Sequence, residues 1–327
     1  MSIMDILNLN IPSKEDPELI MLVGIPASSK STTAKYYAKQ AYLILSSDAI
    51  RLSLLETESE HPHDQKELDK LNVRVFETIR NRAVAALKAG QSVVIDATNL
   101  SRKRRAAFLL NLGKIKCYKK CLLFITPVEV CFARNASREG IARVPDEAMN
   151  KMLRNFECPG YWEGWDEIEP VVSDDTYAFP FEATINFSQD NPHHTLTLYE
   201  HLKAAHEYAV ENGFDSDIQE VALYHDIGKL YVKEFKNRRG DSTEIAHFYD
   251  HENYGAYLYL TEMCSGKDLD EESFRKILYN TNLINCHMKP LNSWEVSPST
   301  RQKDIALFGE DFIRDLELIN RADRAAH

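Results

Sequence analysis

Along the first half of the chain, short apolar runs alternate with stretches whose apolar positions recur every three or four residues. Residues 18–23 (ELIMLV) are continuously apolar and end at Gly24, which predicts a buried strand. A helix is predicted over 30–40. A second strand follows at 41–45 (AYLIL), running into Ser46, Ser47 and Asp48. Leu71, Val75, Ile79 and Leu87 recur at helical spacing over 66–88, and Gly90 stops that helix. SVVIDAT (92–98) predicts a third strand, 101–112 a helix stopped by Gly113, and 116–126 a fourth strand before a helix opened by Pro127. DEIEPVV (166–172) predicts a last strand. Strands alternating with helices imply a parallel sheet covered on both faces.

The pattern then changes. Residues 173–192 are irregular, with Pro180, Pro192 and several Asp. From position 195 the helical period dominates, over 195–211, 217–229, 250–263, 271–286 and 303–326. There is no internal repeat. The expected organisation is an α/β domain over 1–172, a linker over 173–190 and an all-α domain over 191–327. A chain of 327 residues suits two such domains.

Composition narrows the class. Hydrophobic residues make up 44% and charged residues 27%, as in a soluble globular protein. No run approaches 18 apolar residues, so no membrane-spanning helix is expected. The opening MSIMDILNLN lacks a basic stretch followed by an apolar core, so no secretory signal is expected either. Six cysteines without a CxxC pair form no disulfide framework, and a cytoplasmic location is expected. The net charge of −11 splits into +2 over 1–172 and −13 beyond. The second half has acidity that bound cations would offset, and the first half is open to a phosphate-rich ligand.

Gly24-Ile25-Pro26-Ala27-Ser28-Ser29-Lys30-Ser31-Thr32 ends a predicted strand and opens a predicted helix, the context of a P-loop. Loop amides and the helix N-terminus would face the phosphates of ATP. Lys30 would add positive charge and Ser31 a hydroxyl for Mg²⁺. Ser29 stands where the motif has its second glycine. Asp48 and Arg51 follow the second strand, at the sheet edge that faces ligands in open α/β folds. A carboxylate there accepts the proton of an attacking hydroxyl, or simply caps a helix. Asp96 ends the third strand in the same crevice, where it would bind a Mg²⁺ water, orient a lid arginine, or simply cap the strand–helix turn. Arg134 and Arg138, four apart, share one face of a predicted helix, with Arg143 beyond; such a face neutralises phosphate or is merely solvated.

GIPASSKST, SSDAIR, DATNLSRKRR and RNASREGIARVP, in this order, resemble the phage-type polynucleotide 5′-kinases of the adenylate-kinase-like P-loop group over about 18–172. The resemblance implies a loop of Gly24, Ser28, Ser29, Lys30, Ser31 and Thr32 holding ATP and Mg²⁺, with Asp96 beside it. It implies Asp48 as general base, Arg51 on the acceptor phosphate, and Arg134 and Arg138 on the transition state. The run Arg102-Lys103-Arg104-Arg105 either touches the substrate backbone or opens a solvated helix.

In the second half, His225-Asp226 interrupts an apolar helix (VALYHDIGKL), a costly pair to bury without partners. His201, His251, His287 and Asp323 are either further donors or ordinary core and surface residues, since their spacing alone does not decide; as donors, imidazole with carboxylate suits Mn²⁺, Ni²⁺, Co²⁺, Zn²⁺ or Fe²⁺. HDIGK, the later HENYGA and the Asp-bearing last helix resemble the HD phosphohydrolase superfamily over about 190–327. That resemblance implies His201, His225, Asp226 and Asp323 as defining ligands. It places His251 and His287 where two-metal members add ligands, giving one or two ions, and puts Lys229 on a phosphate oxygen or the leaving group. His193 and His194 are either substrate contacts or part of a solvated linker.

Joined, the two resemblances imply a bifunctional nucleic-acid end-healing enzyme. It would phosphorylate 5′-hydroxyl ends and open or remove 2′,3′-cyclic or 3′-phosphates, RNA being the expected substrate and DNA ends an alternative. The partners expected are an NTP, nucleic-acid ends and a separate ligase, with no membrane; the oligomeric state is left open. Two other readings use the same residues: a nucleoside or nucleotide kinase fused to a nucleotidase, and an ATP-binding sensor carrying an HD phosphohydrolase.

Overall fold

The computed structural model describes residues 16–57, 64–192 and 195–326; His193 and His194 lie outside the described residues. The chain forms two compact units, Met1–Arg143 with Glu163–Asp174, and Val144–Trp162 with Asp175–His327. Among the described residues no helix is long and apolar enough to cross a membrane.

The first unit is a five-stranded parallel sheet in the order β2-β3-β1-β4-β5. Its strands are β1 (Glu18–Val23), β2 (Leu43–Ser46), β3 (Val93–Asp96), β4 (Tyr118–Ile125) and β5 (Glu167–Val172). Every residue of β1 is buried, which explains its unbroken apolar run: helices cover both faces of a parallel sheet. The helices are α1 (Lys30–Ala38), α2 (Ser47–Thr57), α3 (Gln65–Lys88), α4 (Arg102–Leu112) and α5 (Val128–Ala136). The sequence pattern missed α2, which begins at Ser47 directly where β2 ends at Ser46, with no turn between them to mark its start.

The second unit begins with α6 (Asp146–Leu153) and continues through α7 (Leu198–Glu211), α8 (Ser216–Tyr224), the short α9 (Lys229–Val232), α10 (His251–Cys264), α11 (Glu271–Cys286), α12 (Pro298–Phe308) and α13 (Glu310–Ala325). A hairpin of β6 (Glu234–Lys236) and β7 (Ser242–His247), unforeseen in the sequence, sits among them. The helix expected over 303–326 is two helices, because Gly309 at φ 89° breaks it.

The expected boundaries need correction in two places. Residues 144–162 belong with the helices, not with the sheet. Asn285 receives the amide of Cys158 (2.8 Å) and donates to the Phe156 carbonyl (3.0 Å). Phe156 meets the Tyr257 ring edge-on at 5.0 Å, and Trp162 packs on Phe308 and Phe312. The segment 173–190 is likewise no free linker. It carries a helical turn at Phe181–Thr184, and Gln189 is buried.

Candidate active sites

The P-loop links β1 to α1. A Cβ on Gly24 would lie 2.9 Å from the Phe124 Cβ and from Ser28 Oγ, so only glycine fits where the loop leaves the sheet. Ala27 and Ser29 take left-handed conformations, at φ 64° and 71°. Ser29 thus adopts the geometry for which the motif normally reserves glycine. Its carbonyl accepts the amides of Thr32 (3.1 Å) and Thr33 (3.3 Å), starting the helix.

Lys30 is buried at the mouth of this loop. Its Nζ donates to the Ile25 carbonyl (2.6 Å) and to Ser28 Oγ (3.4 Å). Burial pulls its pKa down to about 8; Asp96, Cys131 and Asp48 push it up, and Arg138 pulls it further down. Asp96 is raised by burial, opposed by the Lys30 charge and by a hydrogen bond from Ser31. Lys30, Ser31 and Asp96 therefore meet as a compact polar group under the loop. Asp48 lies in the first turn of α2 rather than on the strand. Its side chain is 86% exposed and pairs with Arg51 Nη1 at 2.7 Å. Arg51 Nη2 reaches Asn72 Oδ1 at 3.2 Å.

Arg134 and Arg138 do not share a helical face as the spacing predicted, because α5 ends at Ala136. Arg134 stays in its last turn, and Arg138 lies beyond, exposed, before a 3₁₀ turn at Gly140–Ala142. The basic run at 102–105 does not act as a block either. Arg105 is buried in a bidentate pair with Glu163, Nε–Oε2 2.8 Å and Nη2–Oε1 2.7 Å. Its Nη1 caps the carbonyls of Asn99 and Leu100, both at 2.9 Å. Arg104 lies over the Phe76 ring.

In the second unit, small side chains bring three helices close. Ala205 and Ala209 of α7, Ala222 of α8, and Ala322 with Ala326 at the end of α13 form one buried cluster. The close approach sets His201, His225 and Asp323 around Asp226. His201 Nε2 lies 3.2 Å from His225 Nε2, 3.1 Å from Asp226 Oδ2 and 3.3 Å from Asp323 Oδ1. His225 Nε2 is 3.5 Å from each of the same carboxylate oxygens. The other oxygen, Asp226 Oδ1, faces His251 Nε2 (2.9 Å) and His287 Nε2 (3.4 Å), which are themselves 3.1 Å apart. Asp226 thus joins two groups of donors. Lys229 Nζ lies 2.6 Å from Asp226 Oδ2 and donates to Gln189 Oε1 at 2.9 Å.

The donor set fits divalent ions. Each imidazole gives its Nδ1 hydrogen to a backbone carbonyl: His201 to Ala326 (3.0 Å), His225 to Ala222 (2.8 Å), His251 to Phe248 (2.7 Å) and His287 to Ile284 (2.8 Å). Carbonyls only accept, so the tautomers are fixed and every Nε2 points inward as a donor to a cation. Metal–ligand bonds of about 2.0–2.2 Å put neighbouring donors about 3.0–3.5 Å apart. The separations here run from 2.9 to 3.5 Å. The field of the site favours positive charge, carried by protons on the imidazoles or by a bound cation that displaces them. Burial would lower the pKa of His201, yet hydrogen bonds to Asp226 and Asp323 carry it up to about 9. Asp226 is held well below the usual carboxylate range: burial opposes this, but the charges of Lys229, His225 and His251 win. A cleft of about 1040 Å³ opens beside the cluster, with Asp226, Lys229, His251 and Asp323 in its wall.

Residues 19–159 match the family model described as an AAA domain, a match that ends inside the 144–162 segment. The sheet order and the P-loop lie within it. The first unit is a P-loop kinase domain. It is related to polynucleotide kinase/phosphatase proteins. The bifunctional polynucleotide phosphatase/kinase of Schizosaccharomyces pombe is 26% identical over 48% of this chain and 34% of its own. The L-seryl-tRNA(Sec) kinase of Methanococcus maripaludis is 25% identical over 51% of this chain and 63% of its own. The chain thus spans less than two thirds of either relative. A chain of the Pnkp1/Rnl/Hen1 RNA repair complex aligns with a TM-score of 0.36 and 23% identity, over 45% of this chain and 46% of that one.

Two contributors around these sites escaped the sequence. Gln189, placed in the expected linker, holds Lys229. The kinase domain's Glu163, 58 positions from Arg105, fixes the turn after β3 through that arginine. Neither has a local motif.

Proposed function

We propose that the chain heals broken polynucleotide ends, with a 5′-hydroxyl kinase in the first unit and a metal-dependent phosphoesterase of the HD type in the second. RNA is the proposed substrate. The convergence of four imidazole Nε2 atoms and Asp323 on the two oxygens of Asp226, in a chain that also carries a P-loop kinase, supports the reading best.

In the kinase, the loop amides and Lys30 hold the phosphates of ATP, and Ser31 with Asp96 hold Mg²⁺. Asp48 takes the proton of the attacking 5′-hydroxyl, and Arg51 orients the acceptor through its phosphate. Arg134 and Arg138 neutralise charge on the transferring group. In the second unit, His201, His225, Asp226 and Asp323 hold one divalent ion, and Asp226, His251 and His287 hold a second. A bound divalent ion lowers the pKa of water and neutralises phosphoryl oxygens. Lys229 offers its ammonium to an oxygen of the terminal phosphate. The products are a 5′-phosphate and an opened or dephosphorylated 3′ end, which a separate ligase would seal.

The test uses RNA with a 5′-hydroxyl and a 2′,3′-cyclic phosphate. Lys30→Ala is expected to abolish 5′ phosphorylation and leave the 3′ reaction, and Asp226→Ala to do the reverse. Phosphorylation of free nucleosides but not of RNA would overturn the kinase assignment. Hydrolysis unaffected by chelation or by Asp226→Ala would overturn the other.

A further inference from the structure

The cleft beside the histidine cluster is larger than a terminal phosphate requires. Its volume of about 1040 Å³ reaches the upper end of sites for whole small molecules, roughly 300–1,000 Å³. Its outer wall is built from the β6–β7 hairpin and the residues that follow, up to His251. His247 and Tyr249 stack face to face, 5.2 Å apart and 7° from parallel. The Arg238 guanidinium lies 4.4 Å over the Tyr249 ring. Nε2 of His247 is shielded from solvent and has no hydrogen-bond partner among the described residues.

The hairpin holds these groups in place. Asn237 Oδ1 accepts the amides of Arg239 (2.9 Å) and Asp241 (3.0 Å), closing the turn that carries Arg238. The strand beyond is pinned to the body of the unit, Ala246 N to the Asp190 carbonyl at 2.8 Å and Asn191 Nδ2 to the Ala246 carbonyl at 3.1 Å. Arg238 is otherwise lightly engaged: its side chain is 70% exposed and its ion pair with Asp250 is long, 3.9 Å. Lys229 lies deeper in the same cleft, and Arg324 lines it too.

A buried ammonium at the centre, a stacked ring pair further out and an exposed guanidinium at the rim are the spaced elements that a single-stranded polynucleotide engages: phosphates on cations, bases and riboses on rings. We infer that the hairpin forms a subsite for the nucleotide preceding the terminal one, read by Arg238, His247 and Tyr249. The second site then selects polymer ends over free mononucleotides. This inference rests on the phosphoesterase reading above.

The test compares hydrolysis of an oligoribonucleotide 2′,3′-cyclic phosphate with that of a mononucleotide 2′,3′-cyclic phosphate by the full-length protein. Arg238→Glu is expected to lower the oligonucleotide-to-mononucleotide ratio of kcat/KM at least about tenfold. Arg239→Glu, which changes the same charge on the same turn without lining the cleft, leaves the ratio unchanged. An unchanged ratio in Arg238→Glu, or an equal fall in both variants, overturns the subsite. A second measurement is independent of turnover. RNA carrying 4-thiouridine next to its 3′-terminal nucleotide is photocrosslinked to the protein and the attached peptide identified. Attachment within 237–249 supports the subsite, and attachment only elsewhere overturns it. If the wild-type protein hydrolyses neither substrate, the phosphoesterase reading falls, and the crosslink still decides what the cleft holds.

Discussion

Gly228 packs so closely on the start of α10 that a Cβ there would lie 2.0 Å from the carbonyl oxygen of His251. The amide nitrogen of Gly255, one turn further on, would be 2.6 Å away. This contact seats His251 against Asp226. Gly228→Ala must therefore move backbone rather than a flexible side chain. It is expected to cost about 3 kcal/mol, the upper end for overpacking, and to displace His251. Thermal unfolding and metal stoichiometry check this. On the proposed function, the variant should keep 5′ phosphorylation and lose the proposed metal-dependent hydrolysis. A melting temperature within a degree of wild type would mean that the contact is soft.

Arg105 and Glu163 form a buried bidentate pair, with side chains 0% and 1% exposed. Removing one partner strands the other charge, at a cost of about 3–5 kcal/mol. Arg105→Leu is expected to show that loss in denaturant unfolding of the kinase domain. Arg105→Leu combined with Glu163→Leu is expected to recover much of it, because no unpaired charge is left behind. A double variant as unstable as the single one would refute the account.

Ser29 occupies a left-handed conformation that an L side chain pays for by about 1 kcal/mol. Ser29→Gly relieves this native strain but frees the unfolded chain, so the net gain in stability is expected to be small, about 0.5 kcal/mol. The clearer change is in nucleotide affinity, which should rise as the phosphates approach the backbone without a side chain at this position. Titration of ATP against both proteins decides it. Equal or weaker binding by Ser29→Gly would show that the serine is no handicap.

Lys30 has its pKa lowered to about 8, mainly by burial. Only its ammonium form attracts phosphate. ATP affinity is expected to be flat below pH 8 and to fall above it, approaching tenfold per pH unit, with proton uptake on binding. Calorimetry in two buffers of different ionisation enthalpy measures that uptake. The sign for folding is opposite. Between pH 8 and the ordinary lysine value the unfolded chain binds more protons, so Lys30 makes the domain more stable as pH rises. A pH-independent affinity between 7 and 10 would contradict the shift.

The strands of the kinase domain were legible because burial on both faces leaves a continuous apolar run, as in 18–23, that needs no partner to be recognised. The loop was legible because its residues are consecutive. The grouping of His201, His225, Asp226 and Asp323 was expected only from a resemblance, since donors spread over 123 positions have no telling period. Alanines at 205, 209, 222, 322 and 326 close those helices together, and alanine is unremarkable in any one helix. The hairpin was illegible for another reason: EFK is three residues long, and STEIAH keeps only Ala246 buried, so neither strand shows an apolar face. Arg134 and Arg138 had the right spacing for one face, but a spacing cannot show that the helix stops between them.

The chain passes from the sheet to the helices at Val144, returns at Glu163 to lay down its last strand, and departs again at Asp175. No single cut can therefore divide this molecule along its natural seam. Severing it at 172 would deprive Tyr257 of the Phe156 ring and Asn282 and Asn285 of the carbonyls they hold. A helical half meant to live alone must carry 144–162 as a graft, and a sheet half needs a new turn to bring its edge strand home.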